Sequence, residues 1–132
     1  MLHDPMTVAT RYIDVWNRAD PAERRKGVED LWMPDGLHFT PTRRFQGYDA
    51  LEARVLEAYE QFVRTKCYLF HVMGQPLGHH SVVKLHWKMQ HRVTGSIDAF
   101  GSDVLLLSDD SRIVTDFQFL EPSPATSEGA GT

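Results

Sequence analysis

Apolar residues recur at two different periods along the 132-residue chain, three-to-four in its first half and two in its second. Val8, Tyr12, Val15 and Trp16 keep the helical spacing, which predicts a helix to about Asn17 with both aromatics on one buried stripe. Asp4-Pro5 opens it, because aspartate caps the free amides of a first turn and proline is tolerated at its first position. Asp20-Pro21 repeats the signal, with Glu23 three residues after Asp20, and predicts a second helix that Pro34 ends. Val28, Leu31 and Trp32 supply its apolar face, and Glu23-Arg24-Arg25-Lys26 reads as a solvated one. Asp35-Gly36 reads as a turn into a short strand, Leu37 to Thr40, closed by Pro41. After a polar loop at Thr42-Arg43-Arg44, the spacing of Leu51, Val55, Tyr59 and Phe62 predicts a third helix from about Asp49 to Thr65.

Beyond it the period drops to two. Cys67 to Met73, Val82 to Arg92, Ser96 to Leu107 and Arg112 to Leu120 read as strands. Gly74 to Gly78, Val93-Thr94-Gly95 and Ser108 to Ser111 are expected as the hairpin turns between them. Helices followed by a meander give an α+β architecture in which a strongly curved, mostly antiparallel sheet wraps three N-terminal helices. One domain is expected over residues 1–121. Residues 122–132 are nearly devoid of apolar side chains and are expected to form a flexible tail.

The strand faces sort the candidate interior. Val83, Leu85, Trp87 and Met89 share an inward face, while Lys84, His86, Lys88 and Gln90 face either solvent or a partner. In the last strand Asp116 and Gln118 share one face and Phe117 and Phe119 the other. Either the polar pair meets a pocket or polar interface, or the phenylalanines are core and the carboxylate is solvated.

Composition narrows the function classes. Fourteen Lys and Arg against 18 Asp and Glu leave a net charge of -4, so no global positive field attracts nucleic acid or anionic lipid. No apolar run approaches the ~20 residues needed to span a bilayer. A single cysteine, Cys67, and an N-terminus without basic and apolar leader regions fit a cytoplasmic location. The seven histidines form no ligand set: His86 and His91 fall on opposite strand faces, and His79-His80 lacks a spaced carboxylate. No metal and no cofactor is expected.

Arg-Tyr-Ile-Asp-Val-Trp-Asn-Arg-Ala-Asp-Pro (11–21), Leu-Trp-Met-Pro-Asp-Gly (31–36), Phe-Gln-Gly (45–47), Ser-Ile-Asp-Ala-Phe (96–100) and Ser-Arg-Ile-Val (111–114) together resemble the nuclear transport factor 2-like superfamily. The likeness, over roughly residues 5–121, is to its SnoaL-like members, which include polyketide cyclases and ketosteroid isomerase. It implies a cone-shaped, cystatin-like roll and a homodimer. Through it Tyr12 matches the oxyanion-hole tyrosine of ketosteroid isomerase and Asp98 the second, protonated donor. Thr40 falls where that enzyme has its base, so steroid isomerase activity is not expected. His38, two residues before Thr40 and on the same strand face, could take the base's place.

The resemblance thus implies a site with His38, Tyr12 and Asp98 as catalytic groups. Its expected lining is Trp16, Trp32, Thr40, Tyr59, Phe62, Trp87, Met89, Phe100 and Asp116. A small apolar molecule bearing a carbonyl is the expected ligand, and isomerisation, cyclisation or dehydration by acid/base chemistry the expected reaction. The alternative is a non-catalytic binding or dimeric interaction protein whose pocket is plugged by its own aromatic side chains. In that case Tyr12 is core, Asp98 is exposed or arginine-paired, and His38 is a hydrogen-bonded cavity residue.

Overall fold

The computed structural model describes residues 4–122, so the expected tail lies outside the described residues apart from Pro122. Helix α1 (Pro5–Asn17) and helix α2 (Pro21–Leu31) begin as expected: Asp4 accepts from the Thr7 amide and Asp20 from the Glu23 amide, each just before a proline. Strand β1 (Trp32–Phe39) follows α2 directly, and β2 (Arg44–Gln46) pairs back on it. Helix α3 (Tyr48–Ala58) continues into a π-helical turn, Tyr59–Arg64. Strands β3 (Tyr68–His79), β4 (Val82–His91), β5 (Ile97–Leu107) and β6 (Ile113–Glu121) complete an α+β fold. Among the described residues no helix is long and apolar enough to cross a membrane.

All six strands form one curved sheet in the order β2-β1-β6-β5-β4-β3. Every neighbour pair is antiparallel except β1 with β6, which run parallel and set His38 beside Asp116. The helices cover the concave face, where Val8, Trp16, Val28, Trp32, Leu51, Val55, Leu85 and Leu105 share a buried core. Asn17 fastens α1 to the edge strand by a reciprocal pair, donating to the Phe70 carbonyl at 2.8 Å and accepting from the Phe70 amide at 2.9 Å. That anchor lays Tyr12 across the middle strands.

Four local expectations are corrected. The sequence from Pro34 to Gly36 is not a helix stop followed by a turn but part of β1, which leaves regular register between Trp32 and Leu37. A bulge admits proline within a strand, and a Cβ on Gly36 would lie 2.7 Å from the Trp32 ring, so only glycine fits that bend. Arg44, expected in a loop, opens β2. Gly74 to Gly78 is not the hairpin turn: β3 is an edge strand and absorbs Gly74 and Pro76 in a register shift, while the turn falls at His80-Ser81. Finally, Arg24 is not solvated. It is buried, donates to the carbonyls of Arg18 and Ala19 at 3.1 Å each beyond the end of α1, and lies 4.6 Å over the Tyr59 ring.

Candidate active site

The helical stripe of α1 carries Tyr12 to the concave face, where its hydroxyl lies 2.6 Å from Asp116 Oδ2 on β6 and 2.9 Å from Asp103 Oδ2 on β5. Asp103 Oδ1 accepts from the Trp87 indole on β4 at 2.8 Å, and Asp116 Oδ2 also meets His38 Nδ1 at 2.7 Å. All five side chains are buried. Trp87 reaches Asp103 with its ring packed against Gly101, where a Cβ would come within 2.1 Å of the indole.

Proton accounting orders this network. A phenol has one hydrogen to give, yet two carboxyls lie within reach of it, so one contact must be supplied by a carboxyl proton. Burial raises both aspartates, Asp116 to about 6 and Asp103 well above the carboxylate range, the latter further because the Asp116 charge stands beside it. Near neutral pH the charge therefore rests on Asp116 and the proton on Asp103. Burial lowers His38 to about 4, with the positive charge of Arg54 acting in the same direction, so its imidazole is neutral. As a neutral ring beside a carboxylate it donates through Nδ1–H. Burial, then the carboxyl pair beside it, raises the Tyr12 phenol well above its ordinary value, so it stays protonated. The chain reads Asp103 acid to Tyr12 hydroxyl to Asp116 carboxylate, with His38 holding the far end.

In front of Tyr12 and Asp103 lies a cavity of about 500 Å³, within the range of small-molecule pockets. Of the expected lining, Tyr12, Trp16, Thr40, Phe62, Trp87 and Met89 are on its wall. So are Gln118, whose strand face was read as one that could meet a pocket, and Arg54, Glu57 and Gln61, which were not expected there. Arg54 lies three residues after Leu51 and Glu57 three after Arg54, a spacing that puts them near one helical face without marking them as enclosed.

Six expected site residues lie off the cavity wall. Asp98 is exposed, accepts hydrogen bonds from Ser96 and Tyr68, and is held by them below the usual carboxylate range, the reverse of a protonated donor. The reason is strand parity: Ala99, Gly101 and Asp103 face inward, while Asp98 and Phe100 fall on the opposite face. Asp103 takes the position expected for Asp98, and alternation from Ala99 could have found it. His38 is enclosed by the rings of Trp16, Trp32 and Phe45, with its Nε2 unpartnered among the described residues, and does not reach the cavity as a base. Trp32 belongs to the core, Tyr59 packs under Arg24, and Asp116 stands behind Tyr12.

His38, Asp103 and Asp116 also offer ligand atoms within 4.8 Å of one another, a spacing compatible with a metal ion. The Tyr12 hydroxyl between the two carboxyls and the direct His38–Asp116 contact engage Asp103 Oδ2, Asp116 Oδ2 and His38 Nδ1 with protons, while Asp116 Oδ1 and His38 Nε2 have no partner among the described residues.

No family model and no curated protein sequence matches the chain. Solved structures do. A SnoaL-like family protein from Agrobacterium tumefaciens, provisionally described as an isomerase, superposes with a TM-score of 0.82 at 27% identity, over 89% of this chain and 97% of that one. A protein from Sinorhizobium meliloti, provisionally described as a polyketide cyclase, gives 0.66 at 15% identity over 89% and 100%. A nuclear transport factor 2-like protein of unknown function from Exiguobacterium gives 0.67 at 17% identity over 88% and 99%. The last two establish likeness of fold, and all three share the helices-then-curved-sheet plan described above. In fold the chain is similar to nuclear transport factor 2-like proteins, SnoaL-like ones among them.

Proposed function

We propose that this SnoaL-like domain is an acid/base catalyst acting on a carbonyl-bearing, largely apolar small molecule, with its two buried carboxyls in opposite roles. The observation that carries the reading is the Tyr12 hydroxyl held on the cavity wall between Asp103 and Asp116. Two like groups whose surroundings push their proton affinities apart are suited to serve as an acid and a base. Asp116, raised to about 6, is ionised yet basic near neutrality. Tyr12 stands between it and the cavity. A hydrogen leaving the carbon beside the ligand carbonyl passes to the Tyr12 oxygen as Tyr12 gives its own proton to Asp116. The Asp103 O–H, turned from the Tyr12 oxygen to the carbonyl oxygen of the bound ligand, gives its proton there, so the product is the enol, with Asp116 neutral and Asp103 charged. Trp87 N–H already points at Asp103 and supports that charge. Returning the proton at another carbon completes an isomerisation, and loss of a neighbouring hydroxyl a dehydration.

His38 is a positioning residue in this scheme: its Nδ1–H fixes Asp116 without touching the ligand. The neighbours described as an isomerase and as a polyketide cyclase support the reaction class. The test is exchange of the α-hydrogens of 2-tetralone in D2O, followed by proton NMR. Exchange is expected to rise with pH through about 6, as Asp116 loses its proton. Tyr12→Phe and Asp116→Asn are each expected to slow it on the order of 100-fold. Wild-type exchange in a folded Asp116→Asn variant would remove the catalytic reading and leave a binding protein.

A further inference from the structure

We propose that Arg54 receives a carboxylate of the ligand on the cavity wall, which makes the substrates carbonyl compounds carrying one carboxyl group. The inference deepens the acid/base reading above and rests on it. Arg54 lies on the cavity wall with its side chain only 16% exposed. A guanidinium has five donors, and burying it costs free energy unless those donors and the charge are matched. Here the match is poor. Nη1 reaches Glu57 at 3.2 Å, Nη2 reaches Gln118 at 3.5 Å, and Nε has no partner among the described residues.

The one carboxylate in reach is also shared. Arg43 holds Glu57 more closely, through Nη1 at 2.7 Å and Nη2 at 3.2 Å, so two guanidiniums divide a single negative charge. The other carboxyl on the cavity wall, Asp103, keeps its proton because of burial. One positive charge on the wall is therefore left over. Trp16 and Phe45 rings lie 5.6 and 5.7 Å from the Arg54 guanidinium carbon, which favours a cation there but supplies no acceptor. What the site lacks is a planar monoanion able to take two parallel N–H bonds, and a carboxylate has that shape. Arg54 and Asp103 stand on the wall of the same cavity of about 500 Å³, so one small ligand can meet both.

Calorimetric titration with three probes of matched shape tests this: 2-naphthylacetate, 2-(2-naphthyl)ethanol and 2-naphthyl phosphate. The wild type is expected to bind the acetate about tenfold more tightly than the alcohol, as befits a charge-assisted hydrogen bond. Arg54→Gln is expected to bring that ratio near one. Glu57→Gln, which releases both guanidiniums, is expected to tighten the acetate about threefold and leave the alcohol unmoved. Equal binding of acid and alcohol by the wild type overturns the inference, as does an acid preference that survives in folded Arg54→Gln. If Arg54→Gln does not fold, the absence of any gain in Glu57→Gln overturns it. Tighter binding of the phosphate than of the acetate overturns the carboxylate assignment. Loss of acid preference with tetralone exchange intact removes this inference alone. Loss of exchange with the preference intact removes only the catalytic reading.

Discussion

Asp103 and Asp116 stand on neighbouring strands with a single phenol between them, and only one can be charged there. That arrangement has a measurable cost. The folded Asp103 carboxyl holds its proton far above the pH at which the unfolded residue, near 3.8, gives it up. Its contribution to stability is thus complete below that pH and is lost as pH rises. Asp103→Asn removes the titration, so the variant should gain on the wild type by about 1.4 kcal/mol per pH unit above 4 until the folded group ionises. Urea unfolding at pH 5 and pH 8 checks this, and a difference independent of pH would contradict the protonated assignment. At this scale the sequence was half legible. Tyr12, Trp16, Trp87 and Met89 could be read because helical and strand periods dictate which way a side chain faces. Asp103 was missed because a motif likeness selected Asp98, five residues away and so on the other face of the strand. Arg54 was missed because nothing local marks which cation on a helix will be enclosed.

At the scale of elements, periodicity located every helix and the four long strands, because burial of one face is a requirement each segment must meet alone. It did not locate β2, the bulge of β1 or the true β3–β4 turn. Those are settled by neighbours: Pro76 is tolerated because β3 is an edge, and the register shift in β1 accommodates Pro34 because β6 pairs on both sides of it. Strand β5 shows the same dependence at Gly101, which the Trp87 ring covers. Gly101→Ala should displace that ring, cost about 1–3 kcal/mol of stability by overpacking and break the indole contact to Asp103. Denaturant unfolding with tryptophan fluorescence reads both effects, and unchanged emission with unchanged stability would contradict the packing described.

For the whole molecule, the convex side of the sheet presents Leu106, Phe117 and Phe119, at 36%, 36% and 50% exposure, with Phe39 stacked on Phe117 at 5.4 Å. Of the two faces of β6, the carboxylate side is the buried one and the phenylalanines are outside. An apolar surface of this kind fits the expected homodimer. Light scattering should then give about twice the 15.1 kDa chain mass, and Phe117→Arg with Phe119→Glu should return it to one chain. A single-chain mass for the wild type would end that expectation.

The parallel seam between β1 and β6 also bears on biosynthesis. His38 and Asp116 are 78 residues apart, and β1 has β6 as its inner neighbour. While the ribosome is still making the middle of the protein, the first strand has only the short β2 beside it, and the imidazole has no acid to hold. The hydrogen-bonded chain from Tyr12 through Asp116 to His38 is therefore closed only once β6 has been made, so a nascent chain that stops short of β6 would hold the aromatic side of the cavity without its buried carboxylate.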